Sequence, residues 1–282
     1  MNFPIPVTKM SGTGNDFIVI DHRVSLIPLD EQQAFAKQVC RRMFAAGADG
    51  LILIEDSATA DFSWRFYNGD GSLAEMCGNG ARCAARFAFE KGIAGRTMRF
   101  ETVAGIIEAE ITDHNGPDRH EVSLLMTPPC DFRQDLSVTL DDQEKTLQFM
   151  NSGVPHTVLF LAEDEEFPIR KWGRAIRMHE LFQPAGTNAN FVQILGDNTI
   201  RVRTYERGVE DETMACGTGA VASAIFTAMA GHAASPVKII TSGGDHLTIR
   251  FALTDNPGAD QVYLEGPARI IYEGQLTAEA LF

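Results

Sequence analysis

The sequence repeats itself at a spacing close to half its length, and this repeat constrains the fold more than any other feature. Two Cys-Gly-x-Gly segments, beginning at Cys77 and Cys216, each open an apolar run and lie 139 residues apart. Three further blocks recur in the same order at offsets of 139 to 141 residues. They pair Ser11-Gly12-Thr13 with Ser152-Gly153-Val154, Gly47-Ala48-Asp49 with Gly186-Thr187-Asn188, and Thr102-Val103-Ala104-Gly105 with Thr241-Ser242-Gly243-Gly244. Four matches in register predict a duplicated unit, with one thiol in each half facing a shared cleft.

The composition narrows the class of protein. A chain of 282 residues with 44% hydrophobic residues is long enough for two domains, each with its own core. A net charge of −14 argues against a nucleic-acid or anionic-membrane partner, because both need a basic face. The N-terminal segment lacks the pattern of a signal peptide and no apolar run could span a membrane, so we expect a cytoplasmic protein. Five cysteines without a CxxC pair favour neither a disulfide framework nor a zinc site.

Short strands dominate the predicted secondary structure, and three helices are predicted. Runs rich in β-branched and aromatic residues, bounded by turn residues, predict strands at 17–20, 51–54, 98–100, 158–161, 200–204, 237–240 and 261–264. Apolar periodicity predicts helices at 31–45 with Asp30 as N-cap, at 80–91 ending before Gly92, and at 219–230 ending before Gly231. The third helix has no charged residue and therefore belongs in a core. The best linker is Thr127-Pro128-Pro129.

The two Cys-Gly-x-Gly segments predict a pair of acid–base groups. A thiol just before a helix lies at the positive end of the helix dipole, which lowers its pKa. Free N–H groups at the same helix end can bind a carboxylate. Two such helix starts could hold an amino acid with one sulfur on each side of Cα, one as thiolate base and the other as thiol acid. A disulfide between Cys77 and Cys216 is the structural alternative, and Cys40, Cys83 and Cys130 are expected to be buried hydrophobes.

A weaker motif overlaps the second segment. Residues Gly217 to Ala222 match the dinucleotide-binding pattern G-x-G-x-x-A. The acidic residue expected about twenty positions later is missing, and the segment before Gly217 is polar rather than a buried strand. The pattern therefore carries little weight.

Seven motifs together resemble the diaminopimelate epimerase family, and they extend over nearly the whole chain. They are Lys9-Met10-Ser11-Gly12-Thr13-Gly14-Asn15-Asp16-Phe17, Asn68-Gly69-Asp70-Gly71-Ser72, Met76-Cys77-Gly78-Asn79-Gly80-Ala81-Arg82, Gly153-Val154-Pro155-His156, Asn188-Ala189-Asn190-Phe191, Tyr205-Glu206-Arg207-Gly208-Val209 and Thr213-Met214-Ala215-Cys216-Gly217-Thr218-Gly219. The resemblance implies an α+β fold of two similar, pseudo-symmetric domains, each a curved mixed β-sheet around a central helix. It places the first domain at 1–127 with a returning tail at 267–282, and the second at 128–266.

The resemblance also implies an activity and its residues. The family interconverts LL- and meso-diaminopimelate in lysine biosynthesis, as an isomerase without PLP, metal or other cofactor. We also expect a homodimer. The catalytic cysteines correspond to Cys77 and Cys216. The substrate-binding residues correspond to Asn15, Asn68, Gly78, Asn79, Asn188, Glu206, Arg207, Gly217 and Thr218. Arg207 suits bidentate capture of a distal carboxylate, and Glu206 with Asn188 suits a distal ammonium. His156 is a further candidate without an assigned role.

Two departures and two alternatives accompany the resemblance. Val154 stands where the family often has Asn, and Gly50 where some members have Gln. The first alternative is a cofactor-independent racemase of the proline racemase or hydroxyproline epimerase type, which gives no reason for the set Asn68, Asn188, Glu206 and Arg207. The second is a non-catalytic carboxylate-binding protein, for which two thiols would have no purpose.

Overall fold

The computed structural model describes residues 1–74, 76–113 and 120–282. These residues form two compact units, one of residues 1–124 with 266–282 and one of residues 125–265. The units begin and end within three residues of the boundaries expected at 127/128 and 266/267. As folding domains, those boundaries stay a prediction.

The elements are mainly short strands. The strands are β1 (Ile5–Gly12), β2 (Asn15–Asp21), β3 (Gly50–Glu55), β4 (Phe62–Asn68), β5 (Thr97–Thr102), β6 (Gly105–Asp113), β7 (His120–Leu125), β8 (Cys130–Leu140), β9 (Gln143–Asn151), β10 (Pro155–Leu161), β11 (Asn188–Gly196), β12 (Thr199–Glu206), β13 (Asp211–Thr213), β14 (Val237–Thr241), β15 (His246–Leu253), β16 (Ala259–Pro267) and β17 (Arg269–Leu276). The α-helices are α1 (Gln32–Val39), α2 (Gly78–Glu90), α3 (Ile169–Met178) and α4 (Gly217–Met229). Two short 3₁₀ helices lie at Glu180–Phe182 and Ala278–Leu281. Each predicted strand lies inside an observed one.

The two units share one strand order. In the first unit the order is β17-β1-β2-β3-β4-β5-β6-β7, with parallel pairing at β2–β3 and β4–β5 and antiparallel pairing elsewhere. In the second unit the order is β8-β9-β10-β11-β12-β14-β15-β16, with parallel pairing at β10–β11 and β12–β14. Strand β13 pairs with the end of β12, where the first unit has an isolated antiparallel bridge between Tyr67 and Leu73. The repeat in the sequence is therefore a repeat in topology.

Each sheet curves around one central helix. Helix α2 contacts β1, β2, β3 and β6, and α4 contacts β9, β10, β11, β12, β14 and β15. Strands far apart in the sheet order can touch the same helix only if the sheet bends around it. Small side chains such as Ala81, Ala84, Ala222 and Ala224 are fully buried on these helices and allow close packing.

The other two helices cover the outer faces of the sheets. On β3, Leu51 and Leu53 belong to the core that contains α1, whereas Ile52 points toward the start of α2. On β11, Phe191 packs in the core of α3 and Val192 in the core of α4. A strand buried on both faces has a continuous apolar sequence rather than an alternating one. This explains the unbroken runs from which the strands were predicted.

Helix boundaries differ from the sequence predictions in three places. Helix α1 is shorter than 31–45, and Asp30 does not cap it: Glu31 occupies the N-cap position without a side-chain hydrogen bond. Helices α2 and α4 begin two residues earlier than predicted, directly after the cysteines. Helix α3 was not predicted at all. The predicted stops hold, because Gly92 and Gly231 adopt φ values of +64° and +76° just after α2 and α4.

Candidate active site

Both cysteines of the repeat occupy the N-cap position of a central helix. Cys77 has φ −148° and ψ 116° before α2, and Cys216 has φ −126° and ψ 112° before α4. Both side chains are half-buried. The extended conformation at an N-cap holds the side chain beside the first free N–H groups of the helix. The two thiols thus share one backbone setting.

The hydrogen bonds of the two sulfurs differ. The Cys77 sulfur accepts from the N–H of Gly80 at 3.4 Å, which makes it a true helix cap. The Cys216 sulfur makes no such bond to the backbone at its helix start and lies 3.6 Å from the Thr218 hydroxyl oxygen.

The residue two positions after Cys77 is held by a buried cation. Asn79 Oδ1 accepts from Arg82 Nη2 at 2.8 Å and from the Thr13 hydroxyl at 3.0 Å. Asn79 Nδ2 donates to Asn15 Oδ1 at 2.6 Å. The Arg82 side chain is completely buried and also donates to the carbonyl of Gly78. Arg82 therefore fixes the start of α2 and, through Asn79, the position of Asn15.

A charged cluster supports Asn15 from the other side. Asn15 Nδ2 donates to Asp49 Oδ2 at 3.0 Å, and Asp49 in turn pairs with Arg42. Asp16 pairs with Lys9 at 2.7 Å and with Arg42 at 2.5 Å. Burial alone would raise the pKa of Asp16, but the hydrogen bonds from Arg42 and Lys9 outweigh it and lower the pKa. The predicted site residues Asn15, Gly78 and Asn79 thus lie in one network with Cys77.

The residue two positions after Cys216 is held by a histidine. His156 Nε2 lies 2.8 Å from the Thr218 hydroxyl oxygen, and its Nδ1 lies 3.0 Å from Asn190 Nδ2. The ring is fully buried. Burial lowers the pKa of His156 to about 3, with a further contribution from the charge of Arg207, so the ring is neutral near pH 7. The structure therefore brings His156, Thr218 and Cys216 together.

Glycines permit these close contacts around α4. A Cβ atom at Gly219 would lie 2.3 Å from Asn190 Oδ1, and one at Gly217 would lie 2.8 Å from a methyl group of Leu264. The Ser152 hydroxyl donates to the carbonyl of Thr218 at 2.9 Å. Glycines at the helix start are thus a packing requirement as well as a way to leave N–H groups accessible.

Asn188, Glu206 and Arg207 meet at one end of β11 and β12. Asn188 Oδ1 accepts from the N–H of Arg207 at 2.8 Å, and Asn188 Nδ2 donates to the carbonyl of Pro155 at 2.9 Å. The Arg207 guanidinium donates to the carbonyl of Ala185 at 2.9 Å. Burial raises the pKa of Glu206, so the carboxylate form is disfavoured. A cationic group bound beside Glu206 would offset that cost.

Asn68 lies at the end of β4, but it does not match Arg207 in the sheet. It is exposed and donates to the Ser72 hydroxyl at 3.0 Å. Asn68 pairs with Gly50, whereas Ala189, 139 residues after Gly50, pairs with Tyr205. In the sheet register Asn68 therefore corresponds to Tyr205, two residues before Arg207. The difference arises between the paired strands, whose connection is two residues shorter in the second unit, and the segment before α4 is two residues longer there.

The two departures from the family pattern have different structural settings. A Cβ atom at Gly50 would lie 2.5 Å from the ring of Phe66 and 2.7 Å from the carbonyl oxygen of Tyr67. A larger residue there would require β4 to shift. Val154 is half-buried in the turn before β10, and its carbonyl accepts from the N–H of Ser152 at 3.2 Å.

The remaining cysteines fall outside these networks. Burial raises the pKa of both Cys40 and Cys83 to about 12. Cys130 is exposed, so the expectation of burial is wrong for this residue. Among the described residues, no group of three or more His, Cys, Asp and Glu side chains could hold a metal ion. No helix in that part of the chain has the length and apolarity to cross a membrane.

Sequence reasoning named the cysteines and their neighbours but missed three residues of the networks. Thr13, Arg82 and Asn190 had no assigned role, although all three lie inside the quoted motifs. A signal was present for Arg82, because a charged residue in an otherwise apolar central helix needs buried partners.

The fold is shared with a phenazine biosynthesis protein and with a probable proline racemase. The structure superposes on a Bacillus anthracis phenazine biosynthesis protein of the PhzF family with a TM-score of 0.76 at 13% identity, covering 98% of this chain and 100% of that one. It superposes on a probable proline racemase from Agrobacterium radiobacter with a TM-score of 0.71 at 16% identity, covering 97% of this chain and 93% of that one. Identities this low establish the fold alone: an α+β protein of this two-unit type.

Sequence comparison identifies the family within that class. The profile of the diaminopimelate epimerase family matches residues 7–129 and 148–271. The diaminopimelate epimerase of Aquifex aeolicus is 47% identical over 97% of this chain and 98% of its own, and that of Archaeoglobus fulgidus is 40% identical over 98% of both. The chain belongs to the diaminopimelate epimerase family and is an isomerase. The fold class and the family predicted from the motifs are confirmed.

Proposed function

We propose that this chain interconverts LL- and meso-diaminopimelate by moving a proton at Cα between two thiols, Cys77 and Cys216. One sulfur, as thiolate, removes the Cα proton and becomes a thiol. The other thiol delivers its proton to the opposite face of Cα and becomes the thiolate, so charge and atoms balance. The observation that carries the proposal is the pair of cysteines at the N-caps of two equivalent helices. Cofactor-free turnover, a role in lysine biosynthesis and a cytoplasmic location belong to the same proposal.

The N–H groups at the helix starts supply the electrostatic part of the proposal. Those of Gly78, Asn79, Gly217 and Thr218 are in the first turns of α2 and α4. Charge that builds on the substrate carboxylate as the Cα proton leaves is stabilised by such donors. The buried supports of Asn79 and Thr218 keep these turns in place.

The second head group of the substrate is assigned to the cluster at the end of β11 and β12. The guanidinium of Arg207 can bind the distal carboxylate. Glu206, whose pKa is raised by burial, gains a partner when the distal ammonium binds. Asn188 holds the backbone of Arg207, and Asn15 and Asn68 complete the proposed binding set from the first unit.

Solvent-deuterium exchange tests this function directly. Enzyme kept under reducing conditions is incubated in D₂O with diaminopimelate, and in parallel with proline. We expect deuterium at one Cα of diaminopimelate together with inversion, and none in proline. Exchange into proline at a comparable rate would favour a racemase of the proline type. Binding of diaminopimelate without exchange would favour a carboxylate-binding protein.

A further inference from the structure

The amide of Asn15 lies in the middle of a chain of side chains that begins and ends at a cation. Asn15 Nδ2 lies 3.0 Å from Asp49 Oδ2, and Asn15 Oδ1 lies 2.6 Å from Asn79 Nδ2. Asn79 in turn contacts the buried Arg82, and Asp49 contacts Arg42. All five residues belong to the first unit. The directions of the hydrogen bonds can be derived from the charges at the two ends.

The cation at one end fixes the orientation of Asn79. A guanidinium can only donate, and Arg82 Nη2 lies 2.8 Å from Asn79 Oδ1. The NH₂ group of Asn79 therefore faces Asn15 and must donate to it. The atom of Asn15 that receives this hydrogen bond is then its carbonyl oxygen.

The carboxylate on the other side selects the same orientation independently. Asp49 Oδ1 accepts from Arg42 Nη2 at 2.8 Å, and Asp49 Oδ2 accepts from the backbone N–H of Asp16 at 3.2 Å. As a carboxylate, Asp49 accepts through both oxygens, so the group of Asn15 that faces Oδ2 must be the NH₂ group. Both ends of the chain therefore require one and the same orientation of the Asn15 amide.

Asp49 itself is anchored by backbone hydrogen bonds on both sides. Its N–H donates to the carbonyl of Asp16 in β2 at 2.9 Å, and its carbonyl accepts from the N–H of Gly69, which follows β4, at 2.8 Å. Asp49 directly precedes β3, so these bonds join the ends of three neighbouring strands. A residue anchored in this way can impose its position on a neighbouring side chain.

The repeat supports a positioning role at this place in the fold. Asp49 corresponds to Asn188, which lies 139 residues later. In the second unit, Asn188 Oδ1 accepts from the backbone N–H of Arg207 at 2.8 Å. In each unit the side chain at this position thus holds a residue of the proposed substrate-binding set, which is Arg207 in the second unit and Asn15 in the first.

We propose that Asp49 is a positioning residue that acts through Asn15, because it holds the Asn15 amide with one N–H and one oxygen lone pair available to the substrate. No other hydrogen bond reaches this amide from residues 1–74, 76–113 and 120–282. Only the statement that Asn15 contacts diaminopimelate rests on the proposed function. The orientation of the amide is a property of the free enzyme.

A double-mutant cycle tests whether Asp49 acts through Asn15. The value of kcat/KM for diaminopimelate is measured for Asn15→Ala, Asp49→Ala and the double variant. Asp49→Ala should lower it about tenfold, the size expected for the loss of one charge-assisted hydrogen bond. The double variant should equal Asn15→Ala within about twofold, since no amide is left to position. Losses that multiply in the double variant would overturn the proposal, and so would wild-type kcat/KM in Asp49→Ala.

Two further variants separate positioning from general stabilisation. Asp49→Asn keeps an oxygen that can accept from Asn15, while its NH₂ group faces Arg42, which is exposed and can turn to solvent. It should therefore stay within about threefold of the wild type, and a loss equal to that of Asp49→Ala would overturn the proposal. Asp21→Ala is the matched control, because Asp21 lies on the same strand as Asn15, has the same side-chain exposure of 38% as Asp49, and also pairs with an arginine. It should leave kcat/KM unchanged, and a loss equal to that of Asp49→Ala would also overturn the proposal.

Side-chain NMR of the free enzyme tests the orientation of the amide without substrate. Protein labelled with nitrogen-15 at asparagine is compared with Asn15→Ala, in which the NH₂ signals of Asn15 are lost and so identified. A proton donated to a carboxylate resonates downfield, so one Asn15 proton signal should move upfield in Asp49→Ala and stay in place in Asp21→Ala. Unchanged Asn15 signals in Asp49→Ala would overturn the proposal. These signals do not depend on diaminopimelate, so a failure of the proposed function would appear instead in the deuterium-exchange assay.

Discussion

The starts of α2 and α4 share one backbone conformation, but different side chains hold the residue two positions after each cysteine. At α2 a buried cation, Arg82, holds Asn79, and the thiol caps the helix directly. At α4 the support is neutral: a histidine holds Thr218, and a hydroxyl lies beside the thiol. The comparison shows that duplication preserved the position of each thiol but not its surroundings. Two equivalent sulfurs can therefore differ in acidity without any change of fold.

The largest effect should come from removing either thiol. Cys77→Ala and Cys216→Ala should each lower kcat for diaminopimelate epimerisation by at least about a thousandfold, because each removes one of the two proton carriers. Epimerisation followed by circular dichroism or chiral chromatography measures this loss. The exposed Cys130→Ala is the matched control and should retain wild-type activity. Substantial turnover in either of the first two variants would rule out the scheme with two bases.

The next effect concerns substrate selection in the second unit. Arg207→Met should reduce kcat/KM for diaminopimelate at least about a hundredfold, since a carboxylate desolvated without its partner costs roughly 2–5 kcal/mol. Lysine, which lacks the distal carboxylate, should be a very poor substrate of the wild type. Arg170→Met is a control, because that arginine is exposed and pairs with Asp211 on the surface. If lysine turned over as well as diaminopimelate, the assignment of Arg207 would fail.

A third predicted effect is on the free energy of unfolding, and it tests the role of the buried Arg82 in the first unit. Arg82→Met should lower the free energy of unfolding by about 2 kcal/mol, because it removes the charge-assisted hydrogen bonds from the buried guanidinium to Thr13 and Asn79. Urea denaturation measures this change. The same substitution at Arg99, an exposed residue that pairs with Glu108 on the surface, should cost less than about 1 kcal/mol. Equal costs would mean that the buried cation gives no special stability.

The smallest predicted effect is on the pH dependence of stability, and it tests whether His156 in the second unit is neutral in the folded protein. The pKa of His156 is about 3 in the folded protein, below its value of about 6.5 in an unfolded chain. The unfolded state therefore binds the proton more readily, so the stability due to this group is complete above pH 6.5 and is lost as the pH falls toward 3. The wild type should lose about 1.4 kcal/mol more per pH unit than His156→Gln between pH 6 and 4. Parallel stability curves for the two proteins would contradict a neutral buried ring.

The fold was largely predictable from the repeat, and the missed helix shows where prediction stopped. Helix α3 follows α1 by close to the repeat length, so the repeat itself predicts a helix there. Its sequence obscured this, because Gly173 lies in the middle of the helix. A Cβ atom at that position would lie 2.4 Å from the side chain of Tyr205, so the glycine serves tertiary packing at the cost of helix propensity. Local pattern cannot reveal such a requirement.

From local sequence patterns alone, only the residues at the two helix starts could be predicted. The cysteines and the glycines after them form a local motif whose chemistry follows from the helix start. The supports do not: His156, Asn190 and Thr218 come from three elements and meet only after folding. Arg82 was visible as a charge in an apolar helix, but its partner Thr13 lies 69 residues earlier. Contacts of this kind depend on the sheet register rather than on spacing in the sequence.

The two-residue shift between the ends of β4 and β12 has a consequence for symmetry. A duplicated protein whose halves remained identical would present the same groups twice, and a molecule with two amino-acid ends could bind equally well in two reversed orientations. The connection between β11 and β12 is two residues shorter than that between β3 and β4, so the residue in register with Asn68 is Tyr205 and not Arg207. A difference of two residues in one connection can in this way place different side chains at the same register position of two related units.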